Sequence, residues 1–280
     1  MATPQASPEI TVRNRRFARG TRDRTQDRVA AAWFLALSAA FPNGEAMFID
    51  AVRAFRDDAP PRLAAEIRDF IRQEINHTRE HVGFNRAAEL AGYDVAPVIA
   101  KAADLVRETQ QNPPLVQLAI TMALEHFTAM FAHEFLARPD TLATAGMVDR
   151  DLWMWHAVEE IEHKAVAYDT FLHATRDWKP LKRWMMRSVI MLRVTKRFLQ
   201  HRSEDALTLM AQDELIGWRA RRALFAYLVG KPGLLRRIFP AWLAFFRPDF
   251  HPWDIDDRHL IERYDEGERA ELPAHLEPAE

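Results

Sequence analysis

Residues 153–168, WMWHAVEEIEHKAVAY, carry the pattern from which the fold of the whole chain is inferred. They contain His156, Glu160 and His163 in the spacing H-x-x-x-E-x-x-H. On an α-helix, positions i, i+4 and i+7 lie on one stripe, so the three side chains project from the same face. The window contains neither Gly nor Pro, the two residues that interrupt helices most strongly. The stretch therefore predicts a helix that presents ligands to a metal ion.

A second segment, EINHTREH, repeats this pattern. It places Glu74, His77 and His81 at i, i+3 and i+7, again on one helix face. Ferritin-like dimetal bundles take Glu-x-x-His from each of two helices and one more Glu from each of two others. Glu45 and Glu125 are the candidates for those two further carboxylates. The order along the chain is then Glu, Glu-x-x-His, Glu, Glu-x-x-His, which predicts a dimetal bundle.

The composition favours an α-helical protein without disulfides. The 280 residues include only 9 Gly and no Cys, so thiolate metal sites and cysteine nucleophiles are excluded and the redox compartment stays undetermined. The first 28 residues lack the apolar core of a signal peptide. No apolar run reaches the roughly 20 residues expected of a membrane-spanning helix. A cytoplasmic location is the default expectation.

Helix signals occur along most of the chain. We expect a helix at about 27–41, a break at Pro42-Asn-Gly, and a new helix at 45–56 that Asn43 caps. Further helices are expected at 61–91, 96–109, 113–137, 147–176, 181–201, 204–229 and 234–246. The predicted fold class is all-α, a ferritin-like four-helix bundle with additional C-terminal helices. The expected division is a flexible tail (1–25), the dimetal bundle (26–178), basic apolar helices (179–250) and an acidic tail (251–280).

Charge is distributed unevenly, although the formal net charge is only −2. Residues 179–250 hold 15 Lys and Arg against 5 acidic residues, whereas residues 251–280 hold 3 Arg against 10 acidic residues. The basic block is either a helical surface that packs on the bundle and pairs with the acidic tail, or an amphipathic surface at a membrane interface. No nucleic-acid-binding module is recognisable, so nucleic acid is not an expected partner.

The candidate ligands suit a site for two metal ions. Carboxylates and imidazoles on opposing helices hold ions ~3.5–4 Å apart in dimetal sites, and a sulfur-free set suits two iron ions, with manganese or zinc as alternatives. His156 is a candidate seventh ligand, and His81 is a candidate ligand or hydrogen-bond donor to one. Glu159 and Glu162 are either surface acids or partners of a ligating His. The metal candidates are Glu45, Glu74, His77, His81, Glu125, His156, Glu160 and His163. The catalytic candidates are Glu45, Glu74, His77, Glu125, Glu160 and His163.

The ligand order resembles two protein families. With the extra His156, it is similar to the di-iron arylamine N-oxygenase family of the p-aminobenzoate N-oxygenase type, which implies a di-iron site and leaves the substrate open. Over about residues 25–255 the chain also resembles a bacterial family described as predicted metal-dependent hydrolases. The motifs that carry this second resemblance are FPNGE (41–45), ExxHxxxH (74–81), LEH (124–126), HxxxExxH (156–163), GKPGLLRR (230–237) and FHPW (250–253).

Three functions are compatible with these patterns. The main hypothesis is a non-haem di-iron oxidase or oxygenase that uses dioxygen to oxidise a small apolar or aromatic substrate. The alternative is a dimetal hydrolase that acts on an ester or phosphoester. The third is a non-catalytic metal-binding protein that contacts a membrane peripherally through residues 179–250. A homodimer is a further interaction left open at this stage.

Overall fold

The chain folds almost entirely into α-helices. The computed structural model describes residues 8–17, 27–143 and 150–271, and no strand occurs within these ranges. The predicted all-α class is therefore confirmed. The helices are α1 (Arg28–Arg53), α2 (Pro61–Leu90), α3 (Ala96–Gln110), α4 (Pro114–Ala137), α5 (Asp140–Ala143), α6 (Arg150–His163), α7 (Val166–Ala174), α8 (Pro180–Gln212), α9 (Gly217–Val229), α10 (Leu234–Ala244) and α11 (Arg258–Glu271).

The helices that carry the candidate ligands lie at the centre of the molecule. α1 packs along α2, while α4 packs against α1, α6 and α7, and α2 also contacts α6 and α7. Their facing side chains form one apolar core that includes the fully buried Trp33, Phe70 and Trp155. α3 and α8 pack on α1, and α10 packs on α4. The outer helices thus enclose a central group of ligand-bearing helices.

Helix α1 continues through Pro42, so the predicted break at 42–44 and the predicted cap at Asn43 are wrong. A proline has no N–H to donate to the carbonyl four residues earlier, which here belongs to Ser38. The Asn85 side chain of α2 supplies the missing donor, since its Nδ2 lies 3.0 Å from Ser38 O. A tertiary hydrogen bond therefore replaces the lost helical one, and Glu45 lies inside a helix rather than at its start.

The helix predicted at 147–176 is interrupted. α6 ends at His163, the chain turns at Lys164 and Ala165, and α7 begins at Val166. At this turn the buried Lys164 side chain reaches across to the carbonyl of Ile255 and the carboxylate of Asp257. The predicted first residues of this helix, 147–149, lie outside the described residues.

The basic region folds with a different boundary from the predicted one. α8 runs without a break from Pro180 to Gln212, instead of ending near residue 201. Arg202, at the predicted break, is buried and donates to the carbonyl of Ala36 in α1. The chain turns later, where Glu214 and Gly217 adopt positive φ values of 62° and 66°. Burial of Arg202 against α1 thus extends the helix past its polar stretch.

Parts of both expected tails are packed against the bundle. Residues 8–17 lie over α2 and α6, where Thr11 and Arg13 form hydrogen bonds to Glu162. At the other end of the chain, α11 contacts α4 and α6. Residues 1–7, 18–25 and 272–280 of the expected tails lie outside the described residues. The packing of these segments was not predicted, because the residues that they contact are distant in the sequence.

Helix α4 is long and apolar enough to cross a membrane by composition, with a mean hydropathy of 1.4 in its best window. The expectation that no segment reaches that length is therefore wrong. In this structure 67% of that window is buried inside the protein. Burial on most sides explains the apolar character of a central helix, so the composition of α4 is weak evidence for a membrane span.

Candidate metal centre

The central helices bring six ligand-type side chains into one buried cluster, called the Glu/His cluster below. α1 supplies one carboxylate, α2 a carboxylate and an imidazole, α4 a carboxylate, and α6 a carboxylate and an imidazole. None of the six is more than 4% exposed. Its members are Glu45, Glu74, His77, Glu125, Glu160 and His163.

One end of the cluster is centred on the His163 imidazole. Nε2 of His163 lies 3.3 Å from Glu74 Oε1 and 3.4 Å from Glu125 Oε2. The same nitrogen lies 3.4 Å from Glu160 Oε2. Three carboxylates from three different helices therefore surround one imidazole nitrogen, which is the arrangement that a metal ion with mixed oxygen and nitrogen ligands requires.

The other end of the cluster is formed around the His77 imidazole. Nδ1 of His77 lies 3.7 Å from Glu74 Oε2 and 3.6 Å from Glu160 Oε1. Glu45, Glu74 and His77 offer ligand atoms that all lie within 4.8 Å of one another, and so do Glu74, Glu160 and His163. Glu74 belongs to both groups, which places its carboxylate between two candidate ion positions.

Most of the inward-facing atoms of the cluster have no hydrogen-bond partner. Eight buried atoms accept or donate no hydrogen bond among the described residues. Burial of so many unsatisfied polar atoms is costly, and native proteins tolerate it where a ligand satisfies them. The residues therefore fit a bound cation. The atoms are Glu45 Oε1, both oxygens of Glu74, both oxygens of Glu125, Glu160 Oε2, His77 Nδ1 and His163 Nε2.

The outward-facing nitrogens of both imidazoles, in contrast, are held by the protein. His77 Nε2–H donates to Glu159 Oε2 at 3.0 Å, and His163 Nδ1–H donates to Gln73 Oε1 at 2.8 Å. Such hydrogen bonds fix the ring orientation and leave the opposite nitrogen free for a metal. Of the two alternatives predicted for Glu159, the structure shows the hydrogen-bond partner of a candidate ligand and not a surface acid. Gln73 was missed, although it precedes Glu74 and lies one turn from His77.

The N-terminal segment supports these partners. The backbone N–H of Arg13 donates to Glu159 Oε1 at 2.7 Å, and its guanidinium donates to Glu162 at 2.8 Å. Glu162 also accepts from Gln73 Nε2 at 2.9 Å. Residues 11–13 therefore hold both outer partners of the imidazoles in place. Nothing in the sequence pattern of this Arg-rich segment indicated such a role.

His156 and His81 lie beside the cluster but are engaged with other side chains. His156 Nε2–H donates to Glu160 Oε1 at 2.8 Å, and its Nδ1 lies 2.6 Å from His81 Nε2. Nδ1 of His81 lies 2.9 Å from Ser38 Oγ. Both rings therefore form a hydrogen-bonded chain that ends on a candidate ligand, Glu160. Metal ligation by His81 and His156 stays a prediction.

Electrostatics within the Glu/His cluster favour a bound cation. Burial, reinforced by the charge of Glu74, raises the pKa of Glu45 well above its ordinary value, and burial raises that of Glu125 to about 8. Burial would lower the pKa of His77, but the hydrogen bond to Glu159 and the nearby charge of Glu74 raise it to about 10. Protons on carboxylates and imidazoles thus neutralise the cluster where a divalent cation would otherwise do so.

Comparison with known proteins agrees with the composition of this site. A family model described as "predicted metal-dependent hydrolase" matches residues 11–256, which include all eight candidate ligands and the segment that carries Thr11 and Arg13. A search of curated proteins and a search of solved structures returned no match. Because the family match spans most of the chain, the protein belongs to the predicted metal-dependent hydrolase family.

Proposed function

We propose that the protein is a metal-dependent hydrolase and that the Glu/His cluster holds its metal. The observation that carries the proposal is the convergence of eight buried ligand-type atoms without hydrogen-bond partners among the described residues. Membership of a family described as metal-dependent hydrolases supports the same class of reaction. The metal-binding part of the proposal rests on geometry, and the hydrolytic part rests on the family.

The cluster offers ligands for two ions. Glu74 lies between its two ends, and Glu160 approaches both imidazoles. Two helices with Glu-x-x-His and two with a single Glu form the ligand set of a ferritin-like carboxylate bundle, and we propose that fold type for the central helices. One ion would be held by Glu45, Glu74 and His77, and the other by Glu125, Glu160 and His163.

The proposed reaction is hydrolysis of an ester. The water oxygen forms a bond to the acyl carbon, the bond from that carbon to the alcohol oxygen breaks, and the leaving oxygen receives a proton from the water. A divalent cation at such a site polarises a carbonyl oxygen and lowers the pKa of water. The protein holds Glu160 ready by the hydrogen bond from His156, whose pKa burial lowers to about 4. Neutral His156 therefore orients Glu160 without neutralising its charge.

The test is hydrolysis by protein reconstituted separately with zinc, manganese and iron. Each form is assayed without oxygen against a panel of carboxylic esters and phosphoesters. We expect oxygen-independent hydrolysis with at least one metal and its loss in Glu160→Ala. The matched control is Glu134→Ala, since Glu134 is equally buried but is paired with Arg138 and lies outside the cluster. Absence of hydrolysis with every metal would refute the proposed reaction.

A second candidate, oxygen activation at two irons, is favoured by one observation. The six ligands occur in the order Glu, Glu-x-x-His, Glu, Glu-x-x-His on four helices that meet at the cluster, as in di-iron carboxylate proteins. Anaerobic loading with Fe(II), followed by addition of oxygen, separates the two functions. Consumption of oxygen with no ester hydrolysis would favour this candidate over the hydrolase.

A further inference from the structure

We infer that the substrate is a carboxylic ester with an apolar acyl chain, and that the chain lies in a cavity between α1, α3, α4 and α8. This inference rests on the proposed hydrolytic function. The cavity has a volume of about 330 Å³, which falls within the range typical of small-molecule sites. We call it the acyl cavity.

The wall of the acyl cavity is predominantly apolar. α4 contributes Val116, Ile120 and Leu124, which are only half-buried although α4 is a central helix. Met47 and Phe48 of α1 also line the cavity. An apolar cavity of this size gains free energy when a hydrocarbon group fills it, so the wall selects for an apolar part of the substrate.

The acyl cavity lies next to the Glu/His cluster. A second, smaller cavity of about 20 Å³ is lined by His156 and Glu160. Leu37, Phe41 and Thr128 line both cavities. The two spaces are therefore separated by a wall one side chain thick, on the side of the cluster where Glu160 lies.

Phe41 lines both spaces and also contacts the two imidazoles beside the cluster. Its ring centroid lies 4.8 Å from that of His81 and 5.2 Å from that of His156. The ring is half-buried and borders the cavity on its other side. An acyl chain in the cavity would thus direct its ester group past Phe41 toward Glu160.

The mouth of the acyl cavity is polar. The exposed Arg197 forms a bidentate pair with Glu108, with N–O distances of 2.7 and 2.6 Å. Arg193 also lines the cavity and has no acidic partner among the described residues. An apolar interior behind a charged mouth fits a chain that is buried along its length, and it disfavours a uniformly polar substrate.

The test combines ester turnover with ligand binding. Hydrolysis of p-nitrophenyl acetate, butyrate and octanoate is compared in the metal-loaded protein, and binding of octanoate and acetate is measured by calorimetry. We expect kcat/KM to rise by roughly fourfold for each methylene that enters the cavity. Ile120→Trp fills the cavity and should reduce octanoyl turnover and octanoate binding at least tenfold, while acetyl turnover changes little. Ile216→Trp, at an exposed position outside the cavity, is the control.

The outcomes distinguish failure of this inference from failure of the proposed function. Acetyl hydrolysis with no dependence on chain length, or equal loss of both activities in Ile120→Trp, would overturn the acyl cavity and leave the hydrolase standing. Absence of hydrolysis with every ester and metal would overturn the hydrolase and the inference with it. Failure of octanoate to bind would overturn the acyl cavity whatever the turnover shows.

The exposed apolar side chains of α8 and α10 support a second proposal. Helix α8 exposes a stripe of large apolar side chains at i, i+4, i+8 and i+11, with exposed fractions from 43% to 64%. α10 approaches α8 where Trp242 Nε1 donates to Thr195 Oγ1 at 2.9 Å. On α10, Phe239 and Leu243 are each 54% exposed. The apolar residues of this α8–α10 face are Leu181, Met185, Val189, Leu192, Phe239 and Leu243.

Basic side chains accompany the apolar stripe. Arg193, Lys196 and Arg236 are exposed and have no acidic partner among the described residues. An apolar helix face flanked by unpaired cations suits the interfacial region of a bilayer that contains anionic lipids. We propose that the α8–α10 face docks on such a membrane. Arg193 also borders the mouth of the acyl cavity, so docking would bring that mouth close to the lipids.

Vesicle sedimentation tests this docking. The full-length protein is mixed with vesicles of phosphatidylcholine alone or with phosphatidylglycerol, at low and high salt. We expect salt-sensitive binding to the anionic vesicles and at least a tenfold loss in Met185→Glu/Leu192→Glu. Arg193→Gln/Lys196→Gln should weaken binding about fivefold per residue. Ile75→Glu/Val82→Glu, which changes two equally exposed apolar residues of α2, is the control and should bind normally.

Two results would overturn the membrane proposal. One is an absence of binding to anionic vesicles, or equal binding by the α8 variant and the wild type. The other is a dimeric mass in light scattering that becomes monomeric in Met185→Glu/Leu192→Glu, which would show that a second copy of the chain covers the face. Thermal unfolding of each variant at the wild-type temperature verifies that the fold is intact.

Discussion

Two buried charged clusters include adjacent residues of the chain, and they differ in whether their polar atoms have hydrogen-bond partners within the protein. His163 belongs to the Glu/His cluster, and Lys164 belongs to an ion pair with Asp257. Lys164 Nζ donates to Asp257 Oδ2 at 2.6 Å and to Ile255 O at 2.7 Å, and it lies 4.0 Å from the ring centroid of Trp253. Every charged group of this pair therefore has a partner within the protein.

The Glu/His cluster lacks such partners at its centre. Its outer nitrogens are bound by Glu159 and Gln73, whereas its inner oxygens and nitrogens face one another without hydrogen bonds. Both clusters are equally buried. The difference shows that burial of charge alone does not identify a functional site. An unsatisfied centre inside a satisfied outer ring is the feature that points to a ligand.

Loss of a cluster carboxylate should have the largest effect on function. In Glu160→Ala we expect metal binding and hydrolysis to fall by more than the 10–100-fold typical of an outer-shell change. Direct measurement of metal affinity and of ester turnover tests this. Unchanged affinity would mean that Glu160 is not a ligand.

Breaking the satisfied pair should harm stability instead of metal binding. Lys164→Met leaves the Asp257 carboxylate without its buried cation, and we expect a loss of about 3–5 kcal/mol in the free energy of unfolding. Urea denaturation measures the loss, and metal content per folded chain should equal that of the wild type. A fall in metal content would show that the Lys164–Asp257 pair also supports metal binding, contrary to this prediction.

Metal should stabilise the folded protein through the Glu/His cluster. At free metal concentrations of 100 to 1,000 times Kd, the linkage relation gives about 2.7–4.1 kcal/mol. Glu74→Gln should abolish this gain in stability. Without metal, however, the variant should be more stable than the wild type. The reason is that burial raises the pKa of Glu74 and opposes its charge. Denaturation with and without a chelator measures both expected changes in the free energy of unfolding. A metal-free Glu74→Gln protein less stable than the metal-free wild type would contradict this electrostatic account.

Loss of a hydrogen-bond partner of the cluster imidazoles should reduce metal affinity less than loss of a cluster carboxylate. Gln73→Leu removes the acceptor of His163 Nδ1–H at the same approximate volume. We expect a 10–100-fold loss of metal affinity, measured by competition with a chelator of known Kd. Gln117→Leu, at an exposed amide on α4 whose bonds go only to backbone carbonyls, is the control and should leave affinity unchanged.

A further predicted difference between the two clusters is in pH dependence. In metal-free protein the pKa of Glu125 is raised from 4.5 to about 8 by burial. Its stabilising contribution is complete below pH 4.5 and is lost as pH rises toward 8, by up to about 1.4 kcal/mol per pH unit. Burial would raise the pKa of Asp257, but His133 and Lys164 hold it below 3.8, so its contribution is lost as pH falls below that value.

Denaturation of chelator-treated protein across this pH range measures the slope. Glu125→Gln should flatten the decline between pH 4.5 and 8, since the variant has no proton to release at that position. Metal-loaded protein should instead gain affinity with rising pH, because its ligands must be deprotonated. A metal-free protein whose stability rises over the whole range would contradict the assignment.

The sequence was sufficient to predict which candidate ligands of α2 and of α6 lie together, because they follow helical spacing. Glu74 and His77, and likewise Glu160 and His163, lie one turn apart on their helices, and local periodicity predicts that geometry. The helices that carry the cluster were also predicted, except for the continuity of α1 through Pro42 and the break after His163. These features depend on residues that are neighbours in the chain.

The features that the sequence did not reveal depend on long-range contacts. The continuity of α1 through Pro42 requires Asn85 of α2 to satisfy Ser38 O. The role of Arg13 requires residues 8–17 to lie against Glu159 and Glu162, about 150 residues away in the chain. Neither contact can be recognised in the sequence, because a hydrogen bond between distant segments does not require a fixed number of residues between its partners.

The most direct test of the account is the metal content of the folded protein. Tag-free wild type and Glu160→Ala are saturated with a divalent metal, passed through a desalting column, and analysed by plasma mass spectrometry. We expect about two ions per wild-type chain and a clear loss in Glu160→Ala. A wild-type chain that retains no ion, or a variant that retains as many ions as the wild type, would contradict the claim that the Glu/His cluster is a metal centre.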